Sequence, residues 1–432
     1  MYYVGIIEIQ FLINIESGDI MMRDILKTCV FAGVAAVLIA GAANAEEGVG
    51  APGIDMVTKA RQIYIFTLDP STSTAEVNQL SNAAARVSGG QPRFTFDTYF
   101  KGFSIQVSDA GLARIQDELP ELGTFQRASI YSIAQGKPQN PGRGGGGDGG
   151  STDGGQLIPW GIERTLGATD GVVNIQDCKS VTCKTIWVVD TGVDQDNADL
   201  KVDTVRSAEF IDAFGPRGKN TKDDENGHGT HVAGTAAAIN NTIDVVGVAA
   251  GATIVSVRVL DRLGFGYNDE VLRGLDYVVK EGACGRGEVV NMSLGDDASA
   301  AGADLIDNMV KTMAEAGCLF ALAAGNGSED ADNVSPARVN DPNIFTASAI
   351  DSSNKFASFS NYGNPPVDVA APGVDVVSLK RNGGTDTKSG TSMSAPHVAG
   401  LLALGGTGCV GSGGSAIEDP DGNADPIAHL GC

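Results

Sequence analysis

The chain has 432 residues, 42% of them hydrophobic, and carries 53 acidic against 30 lysine and arginine side chains, for a formal net charge of -23. That length holds two domains plus a processing segment, and that apolar content can fill a sizeable core. So acidic a chain argues against nucleic acid or an anionic membrane as partner and suits a protein facing water or salt.

Residues 22–45 read as a secretory signal: Arg23 and Lys27 form the charged start, Cys29 to Ala40 the apolar run, and Ala43-Asn44-Ala45 a small-residue cleavage site. The apolar run is too short for a membrane span, so no membrane attachment is expected after processing. Met21 or Met22 would then be the start, and residues 1–45 an extension plus signal.

Residues 46–135 read as a small unit of alternating strands and helices. Gln62 to Thr67 is a strand; Ser73 and Glu76 form a capping box opening a helix that ends near Val87; Phe94 to Phe96 and Phe103 to Val107 are strands. A second helix follows Ser108 and a last strand runs near Phe125 to Tyr131. The order strand, helix, strand, strand, helix, strand predicts a ferredoxin-like split fold. The stretch from Arg61 to Ser132 holds no histidine or cysteine and no cluster of paired acids that would suggest a catalytic role, so binding or assisted folding is its expected task. Residues 136–155, with Gly144 to Gly147 in a run, read as a flexible linker and a site for nicking.

In residues 156–432 the runs 185–189, 253–259, 288–293, 319–323 and 344–350 are short and β-rich. Helical patterns separate several of them, the clearest being Val271, Leu272, Leu275, Val278 and Val279. Strands alternating with helices predict an α/β domain with a mainly parallel sheet covered on both faces, whose functional groups gather at the strands' carboxyl ends. Six of the seven cysteines (Cys178, Cys183, Cys284, Cys318, Cys409, Cys432) follow the linker, an even number that suits disulfides in an oxidising compartment.

Four residues stand where chemistry could be done. Asp190 ends the apolar run Ile186 to Val189, as a catalytic carboxylate or as an ordinary turn acid. His228 lies between Gly227 and Gly229 and is a candidate general base. A metal site with His231 is the competing idea, disfavoured because no carboxylate follows at the spacing of zinc-protease helices. His231 and His397 read as structural histidines, and His429 as an exposed one. Asn326 follows the run Leu319 to Leu322, as an oxyanion donor or a turn asparagine. Ser392 sits where a loop becomes a helix that reads as Ala395 to Leu404, with Pro396 suited to the first helical turn. There, free N–H groups and the helix dipole favour a negative oxygen.

Taken together, Val-Val-Asp-Thr-Gly-Val around Asp190, His-Gly-Thr-His-Val-Ala-Gly-Thr from His228, the Asn326 segment and Gly-Thr-Ser-Met-Ser-Ala-Pro-His around Ser392 resemble the signature blocks of subtilisin-like serine proteases. Pro159-Trp160-Gly161-Ile162 resembles a mature start in the proteinase K branch, and residues 61–132 look like that family's inhibitor-type propeptide. The resemblance implies a subtilisin-like α/β fold with helices on both faces of a mainly parallel sheet, preceded by a ferredoxin-like α+β propeptide domain. It implies a secreted serine endopeptidase, extracellular or periplasmic and monomeric, made as a zymogen that its own propeptide inhibits. Polypeptides are its substrates. Ser392 would be nucleophile, His228 base and Asp190 its orienter, with Asn326 and the Ser392 N–H holding the oxyanion. Gly264, Phe265 and Gly266, with Ser293, Leu294 and Gly295, would flank the substrate as added strands.

No cofactor is needed for this chemistry. The family often binds structural calcium, for which Asp194, Asp196 and Asp199 could supply oxygens, although a solvated acidic face explains them as well. Bridges Cys178–Cys183, Cys284–Cys318 and Cys409–Cys432 are one choice among the roughly 15 connectivities that six cysteines allow. From about residue 405 the chain departs from the family: Gly405-Gly406-Thr407-Gly408 interrupts early and a glycine-rich tail follows, which the Cys409–Cys432 bridge would staple. Other readings of the same residues are a catalytically dead binding scaffold, and a ligase or esterase that uses the same acyl-enzyme.

Overall fold

The computed structural model describes residues 52–133, 151–153, 155–211 and 221–432. The expected signal at 22–45, the extension before it and most of the expected linker at 136–155 lie outside the described residues. Among the described residues no helix is long and apolar enough to cross a membrane.

After a short helix α1 (Ile54–Ala60), the smaller unit runs β1 (Ile63–Thr67), α2 (Thr74–Ser88), β2 (Gln91–Asp97), β3 (Lys101–Gln106), α3 (Asp109–Glu118) and β4 (Thr124–Arg127). The sheet order is β2-β3-β1-β4, antiparallel throughout, as the split fold requires. Local signals set the elements. Ser73 Oγ accepts the Glu76 N–H at 3.3 Å while Glu76 accepts the Ser73 N–H at 2.8 Å, the reciprocal capping box. Gly89, at φ 70°, ends α2 in the left-handed conformation that glycine adopts without penalty. One expectation is corrected. The last strand is two: β4 stays in this sheet, while β5 (Ile130–Ile133) leaves it and pairs with the larger unit.

The larger unit is built on a sheet containing β6 (Ile186–Asp190), β7 (Thr253–Arg258), β9 (Val289–Met292), β11 (Leu319–Ala323), β12 (Ile344–Ile350) and β13 (Val367–Pro372). Its order across the sheet is β7-β6-β9-β11-β12-β13, all parallel. All five residues of β6 and all five of β11 are buried, because helices cover both faces. The helices are α4 (His228–Ala237), α5 (Asn268–Lys280), α6 (Ala303–Glu315) and α7 (Thr391–Gly405). In α5, Val271, Leu272, Leu275 and Val278 face inward as the spacing predicts, and Val279 is partly buried. Helix α7 is buried all round from Thr391 to Ala403, so it forms the centre of one core layer rather than a surface stripe.

The tail after Leu404, where the family pattern failed, is ordered sheet. Gly406, at φ 74°, stops α7, and β14 (Val410–Ser415) and β15 (Pro426–Leu430) form an antiparallel hairpin whose Ile427 pairs in parallel with Ala370 of β13. Asp425 anchors the hairpin by accepting from Ser348 and from Asn364 Nδ2, the latter at 2.9 Å. All three expected disulfides are formed. His429, expected exposed, is half-buried, with Nδ1 donating to Leu430 O at 2.9 Å.

The smaller unit's sheet docks beside α5. Arg93 reaches Asp269 at 2.6 Å and Glu270 at 3.4 Å, Thr98 Oγ1 donates to Asp276 at 2.6 Å, and Asp97 pairs with Lys280. Two more strands, β8 (Phe265–Tyr267) and β10 (Leu294–Asp297), receive β5 between them. The registers are Phe265↔Ser132, Gly266↔Tyr131 and Tyr267↔Ile130 on one side, and Leu294↔Ile133 and Gly295↔Ser132 on the other.

Candidate active site

Asp190 closes β6 at the sheet's carboxyl edge, fully buried. Its Oδ1 and Oδ2 lie 2.8 and 3.0 Å from His228 Nδ1, and Oδ1 also accepts the Thr191 N–H at 2.6 Å. A carboxylate can only accept, so Nδ1 carries the proton and Nε2 presents a lone pair. That Nε2 is buried and has no hydrogen-bond partner among the described residues.

His228 is the first residue of α4, and a carboxylate that the sequence reading missed shapes the turn before it. Asp224 Oδ1 accepts from the N–H groups of Asn226 and Gly227 at 2.9 and 2.8 Å, and from Thr191 Oγ1 at 3.0 Å. Its Oδ2 accepts from Thr230 N and Oγ1 at 3.1 and 2.6 Å. Burial pushes the Asp224 carboxyl up, and these five donors oppose that shift. Gly229 permits the close approach of α4 to β6: a Cβ there would lie 2.0 Å from Gly192 O.

Ser392 is the second residue of α7, which begins at Thr391, four residues earlier than expected; Pro396 therefore sits inside the helix rather than in its first turn. A proline at that place deprives the Ser392 carbonyl of its usual i+4 donor. Ser293 Oγ supplies the bond instead, at 3.0 Å, and Ser392 Oγ in turn donates to Ser293 O at 3.2 Å. Ser293 stands outside the strand pairing expected for it, and its side chain serves the backbone of Ser392. A proline four residues after the serine was the signal that could have pointed to it.

Asn326 follows β11. Its Oδ1 accepts from Thr391 N at 2.9 Å and Thr391 Oγ1 at 3.1 Å, which fixes the amide so that Nδ2 is the outward donor. Nδ2 is buried and unpartnered among the described residues. A cavity of about 260 Å³ lies beside it, lined by Gly325, Asn326, Leu294, Gly295 and Ile133 among others.

The six flanking residues divide. Leu294 and Gly295 pair with Ile133 and Ser132; Phe265 and Gly266 pair with Ser132 and Tyr131; Gly264 O accepts the Ile133 N–H at 3.1 Å. Gly264 is at φ 82°, a conformation that favours glycine, and a Cβ on Gly266 would lie 2.2 Å from Val259 O, so the first glycine is dictated by backbone conformation and the second by close approach.

His231 and His397 are neutral and structural. His231 Nε2 donates to Val376 O at 3.0 Å, and burial drives its pKa down to about 3. His397 Nδ1 donates to Met393 O at 2.7 Å, with its pKa driven down to about 4 for the same reason. The calcium candidates do not converge. Asp199 is buried and accepts from Asn241 Nδ2 at 2.6 Å and Val245 N at 3.3 Å, with burial pushing its carboxyl up to about 7. Asp194 Oδ2 accepts from Asn197 Nδ2 and Asn382 N at 3.3 and 2.9 Å, and Asp196 is exposed. Among the described residues no three His, Cys, Asp or Glu side chains are grouped to hold a metal, so these carboxylates do not fit a shared ion.

With the geometry in place, comparison with known proteins is informative. The family model described as Peptidase_S8, the subtilase family, matches residues 184–405. The chain is 40% identical over 365 residues to "Subtilisin-like serine protease Pen ch 13" of Penicillium rubens, covering 79% of this chain and 80% of that protein. It is 31% identical over 355 residues to "Subtilisin-like serine protease AsES" of Sarocladium strictum, covering 81% and 80%. "Subtilisin-like protease 6" of Trichophyton equinum is 38% identical over 254 residues, and there the match spans only 57% of the relative's length. Among solved structures, "Crystal structure of a cold adapted subtilisin-like serine proteinase" is similar with TM-score 0.53 and 34% identity, covering 63% of this chain and 98% of that one.

Proposed function

Since this chain belongs to the subtilase family, we propose that it is a secreted serine endopeptidase that acts through Asp190, His228 and Ser392 and is made as a zymogen. The observation that carries the reading is a pair of buried polar atoms left without partners among the described residues, His228 Nε2 and Asn326 Nδ2, in side chains whose other polar atoms are all engaged. Buried polar groups are rarely left unpaired, and at a reaction centre the missing partner is the reacting group itself.

In the proposed cycle Ser392 Oγ leaves its bond to Ser293 O and attacks the scissile carbonyl, and its proton passes to His228 Nε2. Asp190 keeps the imidazole in the tautomer that can accept and stabilises the cation that forms. Asn326 Nδ2 and the Ser392 N–H, at the N-terminus of α7, receive the developing oxyanion. The imidazolium then protonates the leaving amine, and water repeats the sequence on the acyl-enzyme. No metal takes part in these steps.

Residues 46–135 would be the inhibitor. Strand β5 runs antiparallel to β8 and β10, the arrangement an extended substrate would take, so main-chain bonds supply affinity and many sequences are tolerated. Cleavage in or near 136–155 would release it and leave a monomeric peptidase. Three disulfides support an oxidising destination, extracellular or periplasmic. A fluorophosphonate probe should label the secreted protein at Ser392 and stop casein hydrolysis. Equal labelling of a Ser392→Ala variant, or no hydrolysis by fully processed protein, refutes the reading.

A further inference from the structure

Strand β5 lies in the cleft, and its side chains report what the cleft accepts. Tyr131, opposite Gly266, is fully buried, its ring in an apolar cluster that includes Leu260, Leu294 and Ile306. Its hydroxyl lies 2.7 Å from Ser335 Oγ. Ser335 Oγ is 2.5 Å from Asp307 Oδ1, and Asp307 Oδ2 is 2.5 Å from Arg338 Nε. Arg338 also meets Asp304 at 2.8 Å. Ser335, Asp307 and Arg338 all belong to the larger unit and remain when the smaller one leaves.

The direction of this relay follows from chemistry. Asp307, paired with Arg338, accepts, so the single proton of Ser335 points at Asp307 and a lone pair is left facing the cleft. Only a donor satisfies that lone pair, and the Tyr131 hydroxyl is one. Phenylalanine would fill the same apolar walls and leave Ser335 Oγ buried with its acceptor capacity unused. A small side chain would leave a void as well. A pocket that needs only hydrophobic bulk would have no reason to set a buried hydroxyl at its end, backed by a half-buried carboxylate and guanidinium.

We propose that the Ser335–Asp307 relay makes this subsite selective for tyrosine, so that substrates carrying Tyr at the position opposite Gly266 are cleaved in preference to the same peptides carrying Phe. The inference rests on the endopeptidase reading and on substrates following the path of β5.

The test uses the processed enzyme, its active sites first counted with a fluorophosphonate, and an internally quenched peptide with the sequence of residues 127–138. A second peptide has Phe in place of Tyr131. Cut sites are read by mass spectrometry. In the wild type, kcat/KM for the Phe peptide should be about five- to tenfold lower at the same bond, the size expected for one buried hydrogen bond. In Ser335→Ala that ratio should fall below about two. Equal or faster cleavage of the Phe peptide, a ratio unchanged in Ser335→Ala, or cuts that do not depend on the tyrosine overturns the proposal. The wild-type ratio decides the matter even if the variant fails to fold. Absence of both labelling and casein hydrolysis, by contrast, sinks the endopeptidase reading, so the two failures are distinguishable.

Discussion

Replacing Arg93 by Met should release the smaller unit, the proposed inhibitor. Its guanidinium side chain is 6% exposed and lies 2.6 Å from Asp269 and 3.4 Å from Glu270, both carboxylates 0% exposed. Removing one partner of a buried ion pair costs about 3–5 kcal/mol, because the other charge stays buried without compensation. Here Asp269 would lose both of its guanidinium bonds while Glu270 keeps the Tyr267 N–H at 2.8 Å, whereas in the dissociated enzyme Asp269 meets water, so the cost falls on the docked state alone. At about 1.36 kcal/mol per decade, dissociation strengthens by about 10² to 10⁴-fold, and the lower end is expected because methionine keeps some of the apolar contact with Phe94 and Tyr267. The assay is serial dilution of the processed, still-associated protein, followed by initial-rate measurement with a fluorogenic peptide. The concentration giving half-maximal activity should rise at least about a hundredfold over wild type. A midpoint within about threefold of wild type would refute the reasoning. The double variant Arg93→Leu/Asp269→Leu should recover much of the loss, since apolar replacement of both partners removes the stranded charge.

Asp296, beside Ser129 of the smaller unit, has its carboxyl pushed up to about 6 by burial. A raised acid favours the docked form fully below its free value, and that advantage is lost as pH rises from about 4 through about 6. Unprocessed Ser392→Ala protein should therefore lose thermal stability over that window, and adding Asp296→Asn should flatten the curve; identical slopes would exclude the assignment. Ser293→Ala removes the side-chain donor to Ser392 O, a loss of about 1 kcal/mol for one buried hydrogen bond. Its kcat should fall more than its KM rises, and an unchanged kcat would show that the bond does not hold the nucleophile. Cys409→Ser/Cys432→Ser opens a loop with a sequence separation of 23, worth about 3 kcal/mol by chain entropy. It should lower Tm by roughly 6–12 °C with little change in kcat, and a Tm within about 1 °C of wild type would show the hairpin to be held by Asp425 and β13 alone.

The chain's local chemistry announced most of the elements. The Ser73/Glu76 capping box, the inward stripe of α5 and the uninterrupted apolar runs of β6 and β11 are local or periodic signals, and each forms where the pattern places it. The candidate residues were legible for a different reason: each sits at a strand end or helix start beside glycines, where backbone approach narrows the choice of residue. The tail was not legible, because β14 is Val410-Gly411-Ser412-Gly413-Gly414-Ser415, with no alternation to read. Its strand conformation comes from pairing with β15, which in turn meets β13.

By itself the sequence determined most of the elements before the tail, the residue types offered for catalysis and the signature blocks that place the chain in its family. Tertiary structure alone decided which groups meet. It carried β5 out of its own sheet into the cleft, turned Ser293 to the carbonyl that Pro396 leaves bare, set Asp224 under the His228 turn and lined Ser335 and Asp307 against Tyr131. The separations in those pairs run up to 204 residues, between Tyr131 and Ser335. No local propensity spans such a distance; the contacts exist because packing the parallel sheet and its helices buries these polar groups where their partners lie on distant segments.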